Sequence, residues 1–516
     1  VSVEAYIALD FGTVDELIAL QAAALGDKPA IIMDEEVLSY AGLDALMDRV
    51  AAGLQAQGLG QGDTVAIGAL NSISNAAVFL GSVRAGVAVA PLSPSSTPQA
   101  LAGMIADCGA KIVFVDKEVG ASLQAAGVDL GIPQVSLDGS SYGQTLESWL
   151  PPEGAKPTPV EHKPTDPFSV IYSSGTTGAP KGIVQPLSMR FGQFKRGNYD
   201  PTSVSLISTP IYSNTTLTSF MPTIGLGGTM VMMKKFDVVR FLELSERYRV
   251  TDAMLVPVQH RRILEHPDFD KYDLSSYRMK YSTSAPFAAK LKEEELRRWP
   301  GGITEYYGMT EGGATCILYA HLHPTKLHTV GQPAEGHDVR MIDEDGVELP
   351  RGEIGEIVGR SPVIMTGYHN LPEKTAEAEW WSPAGERFIR TGDVGRYDED
   401  GFVQLMDRKK DMIISGGFNI YPADIEAVIA KHPEVVEASV IGVPSDAWGE
   451  TPVAYVALKE GSAVSADELR KWVNADVGKT QRLTDLKFID KLPRSAIGKV
   501  LKRELRDAYA AALTAA

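Results

Sequence analysis

The segment Tyr172-Ser-Ser-Gly-Thr-Thr-Gly-Ala-Pro-Lys-Gly182 has the composition of an anion cradle. Gly175 and Gly178 permit tight folding that turns backbone N–H groups toward a negative charge. The hydroxyls of Ser173, Ser174, Thr176 and Thr177 add donors, and Lys181 adds an ammonium. A polyphosphate suits that set. The spacing is not that of a Walker loop, because Pro180 stands where its second glycine is required. A Ser/Gly-rich surface turn has a similar composition, so this segment alone leaves both readings open.

Other groups could serve the same chemistry. Glu311, in Tyr307-Gly-Met-Thr-Glu311, offers hard oxygen ligands for a divalent cation. Asp393 follows a turn glycine in Thr391-Gly-Asp393, and Lys499 ends Pro493-Arg-Ser-Ala-Ile-Gly-Lys499. His321, His323 and His328 form a cluster without a matching cysteine or carboxylate pattern, and are read as loop or surface histidines. Gly225-Leu-Gly-Gly228 lacks the third glycine of a dinucleotide fingerprint and is read as a turn.

The elements that must position these groups are those of an α/β protein. Thr64–Leu70, Val87–Leu92 and Lys111–Val115 read as buried strands and Ala76–Arg84 as a helix, the alternation of a largely parallel layered sheet. Phe168–Tyr172 reads as a strand ending at the Gly/Thr loop, where open α/β sheets bind ligands. From about Gly331 the texture becomes β-rich, with hairpin signals at Asp345-Gly346 and Asp400-Gly401. The charged run Asp407–Asp411 reads as a linker. A small α+β domain follows, with helices at Pro422–Lys431 and Ala466–Asn474, strands at Val435–Val443 and Val453–Lys459, and a basic helix from Lys499. The expected architecture is a large N-terminal domain of layered α/β subdomains with a β-rich section, residues 1–407, and a small α+β C-terminal domain, residues 408–516.

Composition narrows the partners. The 516 residues are 44% apolar and 22% charged, so disorder is excluded and a sizeable core is expected. A net charge of −17 leaves no general basic face for nucleic acid or anionic lipid, so any anionic ligand must be held locally. Cys108 and Cys316 are too few for a disulfide framework and fit a reducing, cytoplasmic compartment. Val1–Asp10 lacks the order of a secretory signal. The charge-free stretches Thr64–Val83 and Pro201–Met233 are interrupted by polar residues and proline, and read as buried structure without a transmembrane segment.

In order, Tyr172–Gly182, Tyr307–Glu311, Thr391–Asp393, Asp407-Arg-Lys-Lys-Asp-Met-Ile-Ile-Ser-Gly-Gly417 and Pro493–Lys499 resemble the signatures of the adenylate-forming superfamily, in its acyl-CoA synthetase branch of aryl and medium-chain ligases. The resemblance spans nearly the whole chain. It implies condensation of a carboxylate with ATP to an acyl-adenylate and pyrophosphate, then transfer of the acyl group to coenzyme A with release of AMP. One anion attacks another, and at about 4 Å two unit charges repel by roughly 4 kcal/mol at an effective dielectric of 20. Cations must offset that repulsion.

The resemblance distributes the work as follows. Lys499 meets the carboxylate and α-phosphate oxygens during adenylation, Thr176 belongs to the catalytic phosphate loop, and Glu311 contacts Mg²⁺. Thr310 bonds the α-phosphate, Tyr307 packs on adenine with Gly308 among the nucleotide contacts, and Ser284-Ala285-Pro286 lines adenine's other side. Asp393 accepts the ribose hydroxyls and Arg408 is a ribose contact. Lys410 is the hinge about which the small domain rotates between half-reactions, bringing Ser415, Gly416, Gly417 and Trp448 to coenzyme A.

The acyl pocket is individual. Relatives often carry Tyr-His where this chain has Tyr212-Ser213, followed by Asn214, so a histidine gate is not expected. Several carry glycine where Tyr306 stands, and a tyrosine fills far more volume and needs a partner for its hydroxyl. With Val256 and Gly308 these residues imply a compact pocket for a small aromatic, alicyclic or short- to medium-chain acid. Glu305 has no role in this reading. No acid lies in Ile211–Thr218 to meet an amino acid's ammonium, and no carrier-protein sequence follows, so the expected acceptor is a free thiol such as coenzyme A. A homodimer is compatible with the sequence. A luciferase-like oxygenase and a non-catalytic nucleotide-binding scaffold are the alternatives; intact Lys499, Glu311 and Thr176-Thr177 weigh against the scaffold.

Overall fold

The strands β1 (Thr64–Gly68) and β2 (Ala88–Leu92) are buried at every position, as expected of parallel strands covered on both faces. They are joined through α1 (Ile73–Arg84), whose first turn is capped by Ser72 accepting from the Asn75 N–H at 3.0 Å. β2 pairs in parallel with β3 (Pro167–Tyr172), and β3 turns back into the antiparallel β4 (Gly182–Pro186), with Tyr172 opposite Gly182. The candidate phosphate segment is therefore the connection of a hairpin. These strands are the middle of an eight-stranded sheet that ends on one side at Gly367–Tyr368, antiparallel to β4.

A second, nine-stranded sheet carries β5 (Val204–Ile207), β6 (Asp252–Leu255), β7 (Met279–Ser282) and β8 (Gly302–Tyr307) as parallel neighbours in that order. The helices α2 (Leu187–Phe191), α3 (Asn214–Gly225) and α4 (Ala289–Arg298) lie in the connections along this half of the chain. Buried Phe79, Phe114, Phe168, Phe220 and Ile224 belong to one continuous core that draws on both sheets.

The computed structural model describes residues 1–172, 180–415, 418–445, 448–495 and 498–515. Its contacts divide the chain into two compact units: Val1–Asp338 with Gly359–Ile389, and Val339–Val358 with Arg390–Ala516. In the second unit, β9 (Arg387–Tyr397, from Arg390 onward) and β10 (Val403–Arg408) form a hairpin around Asp400-Gly401, where Gly401 takes φ +81°. Beyond it, β11 (Ile413–Ser415), β12 (Val435–Ser445), β13 (Gly449–Leu458) and β14 (Asp485–Phe488) belong to a five-stranded sheet with α5 (Pro422–Ile429), α6 (Ala466–Asp476) and α7 (Lys502–Ala515).

The α/β class and the small α+β C-terminal region stand as expected. Two local expectations change. Asp407 and Arg408 complete β10, because their backbone pairs with Val394 and Asp393, and the linker run is correspondingly shorter. Lys499 lies in a turn rather than at a helix start, and α7 begins at Lys502. The stretch Thr64–Val83 resolves into β1 and most of α1, and among the described residues no helix is long and apolar enough to cross a membrane.

Candidate active site

Parallel strands end with their carbonyls and connecting loops on one edge, and the candidate residues of the first unit gather at such ends. Tyr212-Ser213-Asn214 follows β5, Val256 follows β6, Ser284-Ala285-Pro286 follows β7, and Tyr307 closes β8 ahead of Gly308, Thr310 and Glu311. Two of these loops are tied directly: the Thr215 and Ser284 hydroxyls lie 2.5 Å apart. Ser284 holds φ +78°, a backbone region that costs energy for a residue with a Cβ and recurs at functional sites. The Thr310 carbonyl accepts a 2.8 Å hydrogen bond from the buried Gln185 amide on β4, which joins the Tyr307–Glu311 segment to β4. Tyr212 is half-buried, and burial raises its phenol above the usual value.

Glu311 is placed by its backbone and by a residue the sequence did not single out. The Met365 N–H donates to the Glu311 carbonyl at 2.8 Å. Gly312 follows with φ +77°, where a Cβ would sit 2.1 Å from the Val363 carbonyl oxygen, so only glycine fits. The Tyr368 hydroxyl donates to Glu311 Oε1 at 2.9 Å, and the Lys181 ammonium lies 4.1 Å from the centroid of the same ring. Burial first, then the Glu311 carboxylate, holds the Tyr368 phenol well above its usual value, so it remains a donor. Lys181, Tyr368 and Glu311 thus form one array beside the start of β4.

Tyr306 and Glu305 take opposite faces of β8, as alternation requires. Tyr306 stacks on Tyr281, with ring centroids 6.0 Å apart and planes 16° apart. Its hydroxyl is met by the Asn198 side-chain amide at 2.6 Å, and Arg196 lies 5.9 Å from its ring. Glu305, buried, pairs with the equally buried Lys292 of α4, whose ammonium also donates to the Leu327 carbonyl at 2.8 Å. Burial raises the Glu305 carboxyl even against Lys292. This is a structural ion pair behind the sheet.

In the second unit, Asp393 of β9 is paired across the hairpin with Arg408 of β10. The Asp393 N–H donates to the Thr391 hydroxyl at 3.0 Å, which in turn donates to the Ile357 carbonyl at 2.8 Å. Glu356 receives Arg390 at 2.6 Å and Lys409 at 3.1 Å; burial works against its charge, but these two cations outweigh it and leave the carboxyl below its usual value. Lys410 is exposed in the turn that follows. Ser415 pairs with Gly449, which brings it beside Trp448, an indole 61% exposed. Lys499 follows Gly498 at φ +79° in a turn where the Ser495 N–H donates to the Lys499 carbonyl at 2.8 Å. Arg494 braces that turn, donating to the Gly498 carbonyl at 2.7 Å and pairing with Glu437 at 2.5 Å.

Ser173, Ser174, Gly175, Thr176, Thr177, Gly178, Gly416 and Gly417 lie outside the described residues.

Residues 18–369 match the AMP-binding enzyme family, and residues 424–499 match the AMP-binding enzyme C-terminal domain. The chain belongs to this family of adenylate-forming enzymes. Within it, the similarity is to the acyl-CoA synthetase branch. The chain is 33% identical to 4-coumarate–CoA ligase 5 of Oryza sativa subsp. japonica over 93% of its own length and 91% of that protein's. It is 31% identical to the fatty acid–[acyl-carrier-protein] ligase ScoC of Streptomyces coeruleorubidus, over 93% of each. The fold superposes on ATP-bound MatB from Rhodopseudomonas palustris with a TM-score of 0.85 at 31% identity, covering 96% of this chain and 99% of that one.

Proposed function

We propose that this AMP-forming acid–CoA ligase activates a small aromatic, alicyclic or short- to medium-chain carboxylic acid as its adenylate and passes the acyl group to coenzyme A. The observation that supports the reading most is the Lys181–Tyr368–Glu311 array beside the start of β4, which holds a cation and a fixed carboxylate together next to the segment proposed to hold the triphosphate.

Glu311 fits the role of Mg²⁺ contact: it has no ion-pair partner among the described residues, and Tyr368 fixes one of its oxygens. Mg²⁺ takes one or two carboxylates plus substrate phosphates and, when bound, neutralises phosphate charge. The remaining roles are this chain's own. Ser173, Ser174, Gly175, Thr176, Thr177, Gly178 and Lys181 cradle the phosphates, and Thr310 meets the α-phosphate. Tyr307, Gly308 and Ser284-Ala285-Pro286 enclose adenine, while Asp393 and Arg408 take the ribose. Lys499 neutralises the oxyanions as they join, a task suited to a compact ammonium on a flexible stem. Tyr306, with Tyr212, Ser213, Asn214 and Val256, limits the acyl pocket; its hydroxyl is already satisfied by Asn198, which supports a fixed wall.

The moving boundary is proposed at 407/408 with Lys410 as hinge, and Ser415, Gly416, Gly417 and Trp448 serve the thiol step. Two buried cysteines support a reducing, cytoplasmic location. A homodimer is the proposed assembly, checked by sedimentation.

The test is acid-dependent pyrophosphate release followed by thioester detection across benzoate, cinnamate, cyclohexanecarboxylate and linear acids of increasing length, with coenzyme A as acceptor. Turnover of the small acids is expected. Preference for a long fatty acid would overturn the role of Tyr306.

A further inference from the structure

Arg190 is 3% exposed and, among the described residues, has no carboxylate partner for its charge. Its Nη2 donates to the side-chain oxygens of Gln185 and of Asn214, the latter at 2.7 Å, and both acceptors are neutral amides. Its Nε and Nη1 are buried and, among the described residues, meet no hydrogen-bond partner. The Phe168 ring, 5.1 Å away, offers only a weak counterpart to a cation. A guanidinium is an obligate donor whose burial is costly unless it is paired, so an aliphatic side chain would pack here with less penalty. Burial alone pulls its pKa down to about 9, a penalty on the charged form that an anionic partner would relieve.

Its neighbours say where that anion would come from. Gln185 holds the Thr310 carbonyl at 2.8 Å, and Asn214 opens α3 directly after Ser213. Arg190 therefore backs the two segments between which the proposed reading seats the acid. The carboxylate being activated is a poor occupant of this subsite. It must stay nucleophilic toward phosphorus, and a desolvated guanidinium would hold its electrons back. A second anionic group on the same molecule has no such conflict. Residues 187–199 also run on from Arg190 to Arg196 and Asn198, which border Tyr306, so one segment joins the cation to the pocket wall.

We propose that Arg190 is a specificity-determining residue that binds a second carboxylate, so that the substrate class is short dicarboxylic acids. This rests on the ligase reading above.

The experiment uses the full chain and matched acid pairs: butyrate with succinate, hexanoate with adipate, benzoate with terephthalate. The readout is acid-dependent pyrophosphate release. At least one diacid is expected to exceed its monoacid by tenfold or more in kcat/KM. Arg190→Met should lose that preference, mainly through a raised KM for the diacid, while monoacid turnover is retained. Arg190→Lys should restore part of it. Thermal melting of both variants checks folding, and the ranking of acids by the unaltered protein is decisive even where Arg190→Met does not fold. Monoacid turnover with no gain from a second carboxylate overturns this inference and leaves the ligase reading standing. Equal loss on mono- and diacids in Arg190→Met also overturns it, making Arg190 a brace for Gln185. Absence of pyrophosphate release from every acid overturns the ligase reading, and this inference with it.

Discussion

Tyr368 shows how a site residue can be invisible in a sequence and plain in a fold. Lys181 and Glu311 stand in recognisable motifs, but the ring that touches both belongs to a two-residue strand on the edge of β4, far along the chain. Nothing in the local pattern around Gly367-Tyr368 distinguishes it from a surface turn; only the sheet order brings it beside Glu311. Removing its hydroxyl should free the carboxylate without opening a cavity. Tyr368→Phe is expected to raise the KM for Mg²⁺-ATP about five- to tenfold, in keeping with a lost hydrogen bond to a charged group at roughly 1–1.5 kcal/mol, with little change in kcat. Pyrophosphate release measured over a range of nucleotide and Mg²⁺ concentrations checks this. An unchanged KM would remove Tyr368 from the site. Glu305 is the converse case. Sequence reading finds no role for it, and its explanation is Lys292, on a helix packed behind the sheet, a partner that no spacing rule connects to it.

At the scale of elements, turns and buried strands were the most readable. Asp400-Gly401 foretold the β9–β10 hairpin because a left-handed glycine is what that turn demands, and the charge-free, largely apolar runs of β1 and β2 foretold strands buried on both faces. The segment before α7 misled for an equally physical reason. Its basic residues carry no apolar period, and the turn that ends at Lys499 depends on Gly498 and on the distant Glu437 that anchors Arg494. The hairpin holding Asp393 depends likewise on Glu356, clamped between Arg390 and Lys409. Because the folded carboxyl titrates below its ordinary value of 4.5, the unfolded chain takes up the proton first on acidification. The stabilisation is therefore complete above about pH 4.5 and is lost as pH falls through the depressed folded value. Thermal unfolding followed against pH should show this acid limb. Glu356→Gln should flatten it and cost about 1–3 kcal/mol near neutrality, the penalty of leaving a partly buried ion pair half made. An unaltered acid limb would mean that Glu356 does not brace the hairpin.

The whole molecule is two compact units with a family match on each side of the proposed hinge, over residues 18–369 and 424–499. The family was legible because five short motifs occur in a fixed order, whereas the acid was not, because the proposed pocket residues come from the ends of three different strands, β5, β6 and β8. If Lys410 absorbs a rotation between half-reactions, fixing its φ with proline should leave adenylate formation within about twofold and slow thioester formation about tenfold or more. Equal thioester turnover would argue against a hinge there. The proposed mechanism needs a lysine from the small domain only while two oxyanions are being joined. It is tested most directly by Lys499→Ala, assayed separately for acid-dependent pyrophosphate release and for thioester formation from supplied acyl-adenylate. The expected result is a loss of about a hundredfold or more in the first with the second preserved. A variant that keeps pyrophosphate release, or that loses both steps together, would contradict it.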